Sequence, residues 1–110
     1  MPQNVTVIGT LARQVDFRFT EAGKPMSLLK IKCPAGFKRD GKEFVDWISA
    51  IAFDDAANDA SLGEEGDNVS VMGRLKTNTK TGEDGKKTYE LQLVCQSVSI
   101  GKPYETAPAD

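Results

Sequence analysis

Apolar and polar positions alternate along most of the chain, which predicts a protein built from β-strands. The first segment, Asn4 to Leu11, alternates and is rich in β-branched residues. Alternation resumes from Val15 to Thr20. We therefore expect one long, bent first strand, followed by a turn at residues 21–24, where Gly23 is a typical turn residue.

Two further strands are predicted in the middle of the chain. The second covers Met26 to Cys33 and is expected to end at Pro34, because proline cannot continue a central ladder. A polar hairpin loop is predicted from Phe37 to Glu43, with the turn signal Asp40-Gly41 near its centre. The third strand then covers Phe44 to Phe53.

The pattern changes its period after the third strand. Asp54 is a candidate cap for a short helix, because residues 55–60 contain no β-branched side chain. The fourth strand is predicted from Asp67 to Lys76, a long polar hairpin loop over 77–87, and the fifth strand from Thr88 to Ile100.

Five strands with a short helix between the third and the fourth follow the order of the OB-fold, a five-stranded Greek-key barrel. The predicted fold class is therefore all-β. We expect a single OB-fold domain over residues 1–102 and a short polar tail over residues 103–110. The chain has 110 residues and a mass of 11.9 kDa, which is enough for one domain with a modest core.

Composition limits the chemistry that this domain can perform. The chain has no histidine, and its cysteines, Cys33 and Cys95, cannot supply the four ligands of a structural zinc site. Neither glycine-rich phosphate-binding motif is present. We therefore expect a binding module that is not an enzyme, with no cofactor and no metal. The start of the chain lacks a secretory signal, so we expect a cytoplasmic protein with two reduced core thiols.

The net charge of −2 is unevenly distributed. The segment 54–67 carries six carboxylates and no base, whereas the rest of the chain carries 14 basic and 10 acidic residues. This asymmetry predicts one basic and one acidic face, although an ordinary solvated surface is the alternative. The bases concentrate in two stretches: Lys24, Lys30, Lys32, Lys38, Arg39 and Lys42 in the first, and Arg74, Lys76, Lys80, Lys86 and Lys87 in the second.

Some aromatic residues are candidates for stacking on bases. Trp47 and Phe53 lie six residues apart on one predicted strand and share a face, while the small and aliphatic residues between them can supply the core side. The alternative is that both are core residues. Phe37 lies beside two cations, Lys38 and Arg39, in a predicted loop. We expect structural roles for the other aromatic residues considered, which are Phe17, Phe19, Phe44 and Tyr89.

Four stretches in the expected order resemble the single-stranded DNA-binding proteins of bacteria and phages, which have the OB-fold. They are Asn4-Val5 through Ile8-Gly9-Thr10-Leu11; Asp16-Phe17-Arg18-Phe19-Thr20 with Gly23; Trp47 to Phe53 leading into Ala56-Ala57; and Gly66-Asp67-Asn68-Val69 through Val71 to Leu75. The resemblance covers about residues 4–101. It implies sequence-independent binding and protection of single-stranded DNA in replication, recombination or repair.

The resemblance also implies which residues contact DNA. Three aromatic residues match stacking positions of that family, and Arg74 and Lys76 match basic positions, whereas a further loop aromatic is absent and Lys80 lies near its place. The other cations are candidates by location. The full set of candidate nucleic-acid-binding residues is Phe37, Trp47, Phe53, Lys24, Lys30, Lys32, Lys38, Arg39, Arg74, Lys76, Lys80, Lys86 and Lys87.

Members of the resembled family self-associate, commonly through the first strand and into tetramers. This implies a dimer or tetramer with Asn4, Thr6, Ile8 and Thr10 at the interface. The family's glycine- and glutamine-rich linker and acidic tip are not found before Asp110. We therefore expect that any replication proteins are not recruited through such a tip, as would suit a phage or plasmid origin.

Other functions stay open at this point. An OB-fold adaptor in a replication complex, with weak or no DNA binding, would be consistent with the missing loop aromatic and the overall acidity. A nuclease would need carboxylates beside basic partners, whereas the acidic and basic stretches here are separate in sequence. RNA could replace DNA, because stacking does not read the sugar. Exposure of Trp47 on a basic face would favour the nucleic-acid binder.

Overall fold

The computed structural model describes residues 4–102, so the predicted tail lies outside the described residues. It contains six strands and one helix in the predicted order. The strands are β1 (Val5–Leu11), β2 (Asp16–Phe19), β3 (Pro25–Arg39), β4 (Lys42–Phe53), β5 (Asn68–Thr81) and β6 (Lys87–Gly101), and the helix α1 (Asp54–Ala60) lies between β4 and β5.

The strands form one sheet that closes on itself, in the order β1-β5-β6-β4-β3-β2. Closure comes from an additional pairing of Thr10 and Leu11 in β1 with Lys32 and Ile31 in β3. Strands β4 and β6 run parallel, and the other pairs are antiparallel. A closed sheet with this strand order and one helix confirms the predicted OB-fold.

The expected long first strand is interrupted. Strands β1 and β2 both pair with β3, but residues 12–15 between them belong to neither strand. The Ala12 N–H still donates to the Lys30 carbonyl at 2.8 Å, so the chain keeps to the same edge. The two short strands together therefore occupy the position of one bent barrel strand.

The predictions that residues 37–43 and 77–87 form long loops are wrong. Strand β3 continues past Pro34 to Arg39, because the proline lies at a register shift where its missing N–H interrupts no regular ladder. The turn itself is Asp40-Gly41, with φ of 52° and 75°, between the paired residues Arg39 and Lys42. Positive φ at both positions is the signature of a two-residue type I′ turn.

Strand β5 likewise continues to Thr81, which pairs with Lys87 at the start of β6. Two long hairpins therefore project from the barrel. We call β3–β4 beyond Cys33 and Asp46 the first arm, and β5–β6 beyond Leu75 and Leu93 the second arm.

The core is built from the inward positions of the alternating strands. Buried side chains include Val7, Leu11, Leu29, Ile31, Ala50, Ala52, Val69, Val71, Leu93, Cys95 and Val98. Helix α1 adds buried Ala56, Ala57 and Ala60. The fully buried Ser27 hydroxyl donates to the Ala57 carbonyl oxygen at 2.7 Å, which fixes the helix to β3.

The prediction that Asp54 caps the helix is wrong. The N-cap residue is Phe53, and no side chain makes a capping hydrogen bond there. Asp54 is instead the first helical residue, with φ of 55°. The carboxylates of Asp54 and Asp55 still lie in the first turn, where the helix dipole favours negative charge.

Two glycines allow strands to approach closely. A Cβ atom at Gly73 would collide with the Val94 carbonyl oxygen, and one at Gly9 would collide with the Lys32 carbonyl oxygen. Gly73 also lies at a register shift, where the pair Met72–Ser97 is followed by Gly73–Cys95. The close approach therefore coincides with a β-bulge in the barrel wall.

Within residues 4–102, no helix has the length and apolar character needed to cross a membrane.

Candidate nucleic-acid interface

The outward face of β3 and β4 brings two predicted stacking residues together with two predicted cations. Trp47 lies opposite Lys32, and Ser49 lies opposite Lys30. Trp47 is 56% exposed, whereas Ala50, which faces inward on the same strand, is buried. The alternation of β4 therefore points Trp47 away from the core.

The same outward face continues from Trp47 to the end of β4. Ile51 is paired with Leu28, and Phe53, which is 40% exposed, is paired with Met26. The six residues from Trp47 to Phe53 span about 20 Å of strand. We call the outward side chains of β3 and β4 from Met26 to Lys32 and from Trp47 to Phe53 the outer wall.

Two lysines give the outer wall its positive charge. The Lys30 ammonium donates to the Ser49 hydroxyl at 3.3 Å, and Lys32 is exposed beside Trp47. Among the residues that the structure describes, no ion pair joins Lys30 or Lys32 to a carboxylate. Their charge is therefore available to an anionic ligand.

Concave surfaces flank Trp47 on both sides. A cavity of about 750 Å³ is lined by Ile8, Gly9, Thr10, Lys32, Glu43 and Trp47, among others. A second cavity of about 430 Å³ opens between β4 and β6 and is lined by Lys30, Trp47, Ser49 and Leu91, among others. The indole is thus accessible from two directions, as a stacking residue has to be.

Phe37 lies on the first arm, in a strand and not in the predicted loop. It is 54% exposed and stacks on Phe44, with ring centroids 5.2 Å apart and planes inclined by 24°. The Arg39 guanidinium lies over the Phe44 ring at 6.0 Å. The structure therefore shows Phe37 in a group with a cation, as the sequence predicted, and shows Phe44 as a second aromatic ring in the same group.

Cations lie along the outward side of β5, from the barrel wall at Arg74 onto the second arm. Arg74, Lys76 and Lys80 are exposed, and they share one face of the strand because they are an even number of residues apart. Lys80 forms an ion pair with Glu90 at 3.4 Å, which partly neutralises its charge. A groove that includes Ser49, Asn78, Lys80 and Gln92 connects this arm to the outer wall.

Three predicted cations lie away from the outer wall. Lys24 is in the turn between β2 and β3, where its N–H bonds the Thr20 hydroxyl oxygen at 3.2 Å. Lys86 and Lys87 lie at the turn of the second arm, about 20 Å along the ladder from Leu75. These residues could contact DNA only if the strand extends beyond the wall.

Sequence reasoning missed two arginines near the wall. Arg13 lines the groove to the second arm. Arg18 pairs with Met26, next to Phe53, and binds the Asp16 carboxylate at 2.7 Å, which lowers the pKa of Asp16. The sequence shows that Asp16 and Arg18 alternate with Phe17 and Phe19, but it does not show the register that places them beside β3.

Acidic residues concentrate at the helix and the loop that follows it. Asp54, Asp55 and Asp59 are exposed on α1, whereas the Asp67 side chain is 3% exposed and binds Lys102 at 3.0 Å. Residues 4–102 contain no group of three or more cysteine or carboxylate side chains placed to hold a metal ion. The acidic segment thus lies on α1 and the loop after it, whereas the lysines of the outer wall lie on β3.

The predicted interface residues of β1 share its outward face. Asn4, Thr6, Ile8 and Thr10 alternate with inward Val7 and Leu11, and Ile8 is 71% exposed. The edge of β1 from Val5 to Gly9 pairs with β5 on one side and has no partner strand on the other within the described part of the chain. An unpaired edge and an exposed isoleucine are therefore adjacent.

Both cysteines are free thiols. Burial raises the pKa of Cys95 to about 11. Burial and the nearby Asp46 carboxylate raise the pKa of Cys33. Both thiols are therefore protonated at neutral pH and are poor nucleophiles.

The sequence is similar to known single-stranded DNA-binding proteins. The model of the single-strand binding protein family matches residues 2–100. Single-stranded DNA-binding protein 3 of Listeria innocua is 29% identical over 102 residues, covering 91% of this chain and 64% of that protein. The single-stranded DNA-binding protein of Bacillus cereus is 28% identical, covering 94% of this chain and 62% of that protein.

The single-stranded DNA-binding protein of Oceanobacillus iheyensis is 31% identical, and the match covers 91% of this chain and 63% of that protein. The chain thus spans slightly less than two thirds of these three relatives. The family match extends over nearly the whole chain and over all the strands of the barrel wall. The chain therefore belongs to the single-strand binding protein family.

Proposed function

We propose that this chain binds single-stranded DNA without sequence preference and protects it during replication, recombination or repair, as a non-catalytic protein. The observation that carries the proposal is the exposed Trp47 opposite Lys32 on the outer wall. The names of the relatives, single-stranded DNA-binding proteins, support the same ligand.

The outer wall offers the two interactions that such binding needs. Trp47 and Phe53 present ring faces, on which any base can stack with a gain of roughly 1–3 kcal/mol per base. Lys30 and Lys32 lie on the same face and can neutralise phosphates. Because stacking reads ring faces and not base edges, little sequence preference is expected.

The remaining candidate residues extend this surface. Phe37, Lys38 and Arg39 continue it onto the first arm. Arg74 on the barrel wall is followed by Lys76 and Lys80 on the second arm. We propose that Lys24, Lys86 and Lys87 contact only longer strands, since they lie beyond the wall. The exposed position of Trp47 beside Lys32 favours this function over an adaptor that does not bind DNA.

We further propose that the protein self-associates through β1, as a dimer or tetramer. The unpaired edge of β1 and the outward residues Asn4, Thr6, Ile8 and Thr10 support this. A DNA-binding role would place the protein in the cytoplasm of a bacterial or phage-infected cell, in contact with replication proteins.

Trp47 fluorescence tests DNA binding directly, since Trp47 is the single tryptophan. Oligo(dT) is expected to quench the emission, and added salt to weaken binding with a slope of about −0.7 per neutralised phosphate. Duplex DNA of the same length serves as the control. An emission that oligo(dT) leaves unchanged at low salt, together with no binding of labelled oligo(dT), would contradict the proposal.

Lysine variants test which cations contact phosphates. Lys32→Gln, on the outer wall, is expected to reduce the salt slope by about 0.7. Lys86→Gln, at the turn of the second arm, is a matched variant that should change the slope less with a short oligonucleotide. An equal effect of both variants would count against the outer wall as the principal binding surface.

A further inference from the structure

The aromatic pair on the first arm has no role in the core. Phe37 and Phe44 lie at the register shift between Pro34 and Lys38, on the projecting part of the β3–β4 hairpin. Both rings are partly exposed, Phe44 by 41%, although they stack on each other. Two solvated phenylalanines contribute little to barrel stability, so their arrangement calls for another explanation.

The backbone leaves Phe37 in need of lateral support. Residues 35–37 fall within the register irregularity, and Gly36 has φ of 85°. No regular cross-strand pair therefore holds Phe37 by register. Phe44 has no regular pair either, but it is one residue opposite the three residues 35–37, and both its neighbours, Glu43 and Val45, pair regularly with β3. The extra residues are therefore on the β3 side, and β4 continues through Phe44 without an insertion.

Contacts with neighbours hold the Phe44 ring itself. It is near-parallel to the Phe37 ring at 5.2 Å, and the Arg39 guanidinium lies over it at 6.0 Å. Phe37 keeps more of its surface exposed than Phe44 does. The arrangement is that of an exposed ring, Phe37, supported by a second ring whose position the hairpin fixes.

We propose that Phe44 is a positioning residue of the DNA-binding surface: it holds the Phe37 ring in the orientation in which a base stacks on it. The inference rests on the proposed function. A ring that is already ordered loses less side-chain freedom when a base binds, so Phe44 would increase affinity without touching the DNA.

The experiment measures the affinity of the full chain for fluorescently labelled oligo(dT). Phe44→Leu keeps an apolar side chain but removes the ring, and it is expected to weaken binding about three- to tenfold, a part of the worth of one stacked base. Phe44→Tyr keeps the ring and should restore affinity to within about twofold of the original protein. The thermal midpoint should not change in either variant, because Phe44 is outside the core.

A double-mutant cycle separates positioning from an independent DNA contact. If Phe44 acts through Phe37, the double variant with Phe37→Leu and Phe44→Leu should bind DNA almost as well as the single variant Phe37→Leu. The expected difference in affinity is at most about twofold. If the double variant instead loses affinity by the product of the two single effects, Phe44 contacts DNA by itself and the inference is overturned. Phe19→Leu, at an exposed ring on β2, is the matched control and should leave affinity unchanged.

The remaining outcomes are equally distinct. Unchanged affinity in Phe44→Leu would overturn the positioning role while the proposed function stands. A lowered thermal midpoint in Phe44→Leu, with no rescue by tyrosine, would assign Phe44 a merely structural role. If the original protein fails to bind oligo(dT), the proposed function fails first and the inference fails with it.

Discussion

The Asp67 carboxylate is nearly buried, and its negative charge is stabilised by a backbone N–H and a lysine. Its Oδ2 atom accepts the Glu64 N–H at 2.9 Å and the Lys102 ammonium at 3.0 Å. These contacts lower the pKa of Asp67 from its ordinary value of 3.8, and they raise the pKa of Lys102. One side chain thereby ties the end of β6 to the loop before β5.

Asp67 predicts a specific loss of stability in acid. Its pKa is lower in the folded than in the unfolded state, so its contribution is present above the unfolded value and is lost as pH falls through the folded value. We expect Asp67→Asn to lower the urea midpoint at neutral pH and to differ little from the original protein at about pH 2.

Urea unfolding at both pH values, followed by circular dichroism, checks this prediction. Asp16→Asn is the control, because the Asp16–Arg18 ion pair is exposed and should contribute little to stability. A gap between Asp67→Asn and the original protein that stays constant down to about pH 2 would contradict the assigned role.

Residue roles were predictable where strand alternation alone decides them. The period of β4 put Trp47 on the face opposite Ile48 and Ala50 but left open which face is the core, and the structure shows that Ala50 is buried and Trp47 exposed. The role of Phe44 could not be predicted, since its contact with Phe37 depends on a register shift that leaves no mark in the hydrophobic pattern. Which of the candidate residues touch DNA stays a prediction.

At the scale of single elements, the bulge in the β5–β6 pair depends on one glycine. Gly73 lies where the register shifts, and its lack of a side chain lets the backbone approach the Val94 carbonyl. The hairpin continues regularly beyond this point as far as Thr81 and Lys87. The direction of the second arm is therefore set at Gly73.

Gly73→Ala is expected to destabilise the protein by about 2–4 kcal/mol, because a methyl group there requires backbone displacement. The measurement is the free energy of unfolding in urea. Gly101→Ala, in the partner strand β6 and with open space around it, is the matched control and should change stability little. Equal stability of the two variants would show that the wall can relax at Gly73.

Element boundaries were the part of the fold that sequence reasoning predicted least well. The arm segments carry polar residues on both faces, such as Thr77, Asn78 and Thr79, so their alternation is hidden and they resemble loops. Pro34 was expected to end β3 because prolines break central ladders, but at an irregular position no bond is lost.

At the scale of the whole molecule, the order of elements was sufficient to predict the barrel. The helix position and the five predicted strands, the first of which is divided into β1 and β2, agree with one topology, which also contains the parallel β4–β6 pair. Charge was predicted only in outline, because the sequence separates acidic and basic stretches but does not say which strands become neighbours. The outer wall required the β3–β4 register.

The outward face of β1 leads to a prediction about the assembly. Ile8 is exposed beside an unpaired strand edge, and the exposed Met72 lies next to Thr6 on β5. We expect sedimentation to give a mass that is a multiple of 11.9 kDa, and Ile8→Lys to reduce it, since a charge on an edge strand opposes pairing.

Leu62→Lys is the matched control for this prediction. Leu62 is also an exposed apolar residue, but it lies just after α1, in a groove lined by Asp59, Glu64 and Ile100 and not by the outward residues of β1. Its substitution should leave the mass unchanged. A monomer in the original protein at micromolar concentration, or an equal effect of both substitutions, would contradict an interface at β1.

The barrel is closed by two short seams. One joins Thr10 and Leu11 to β3, and the other joins Ala50, Ile51 and Ala52 to β6. The ladders of the two hairpins on either side, β3–β4 and β5–β6, are much longer, and the β1–β5 ladder is also longer than either seam. Under a mechanical load across the barrel, the seams should therefore part before the hairpins do. The molecule would then lengthen as two halves that keep their own ladders, with helix α1, packed against both β4 and β6, resisting the separation at one seam.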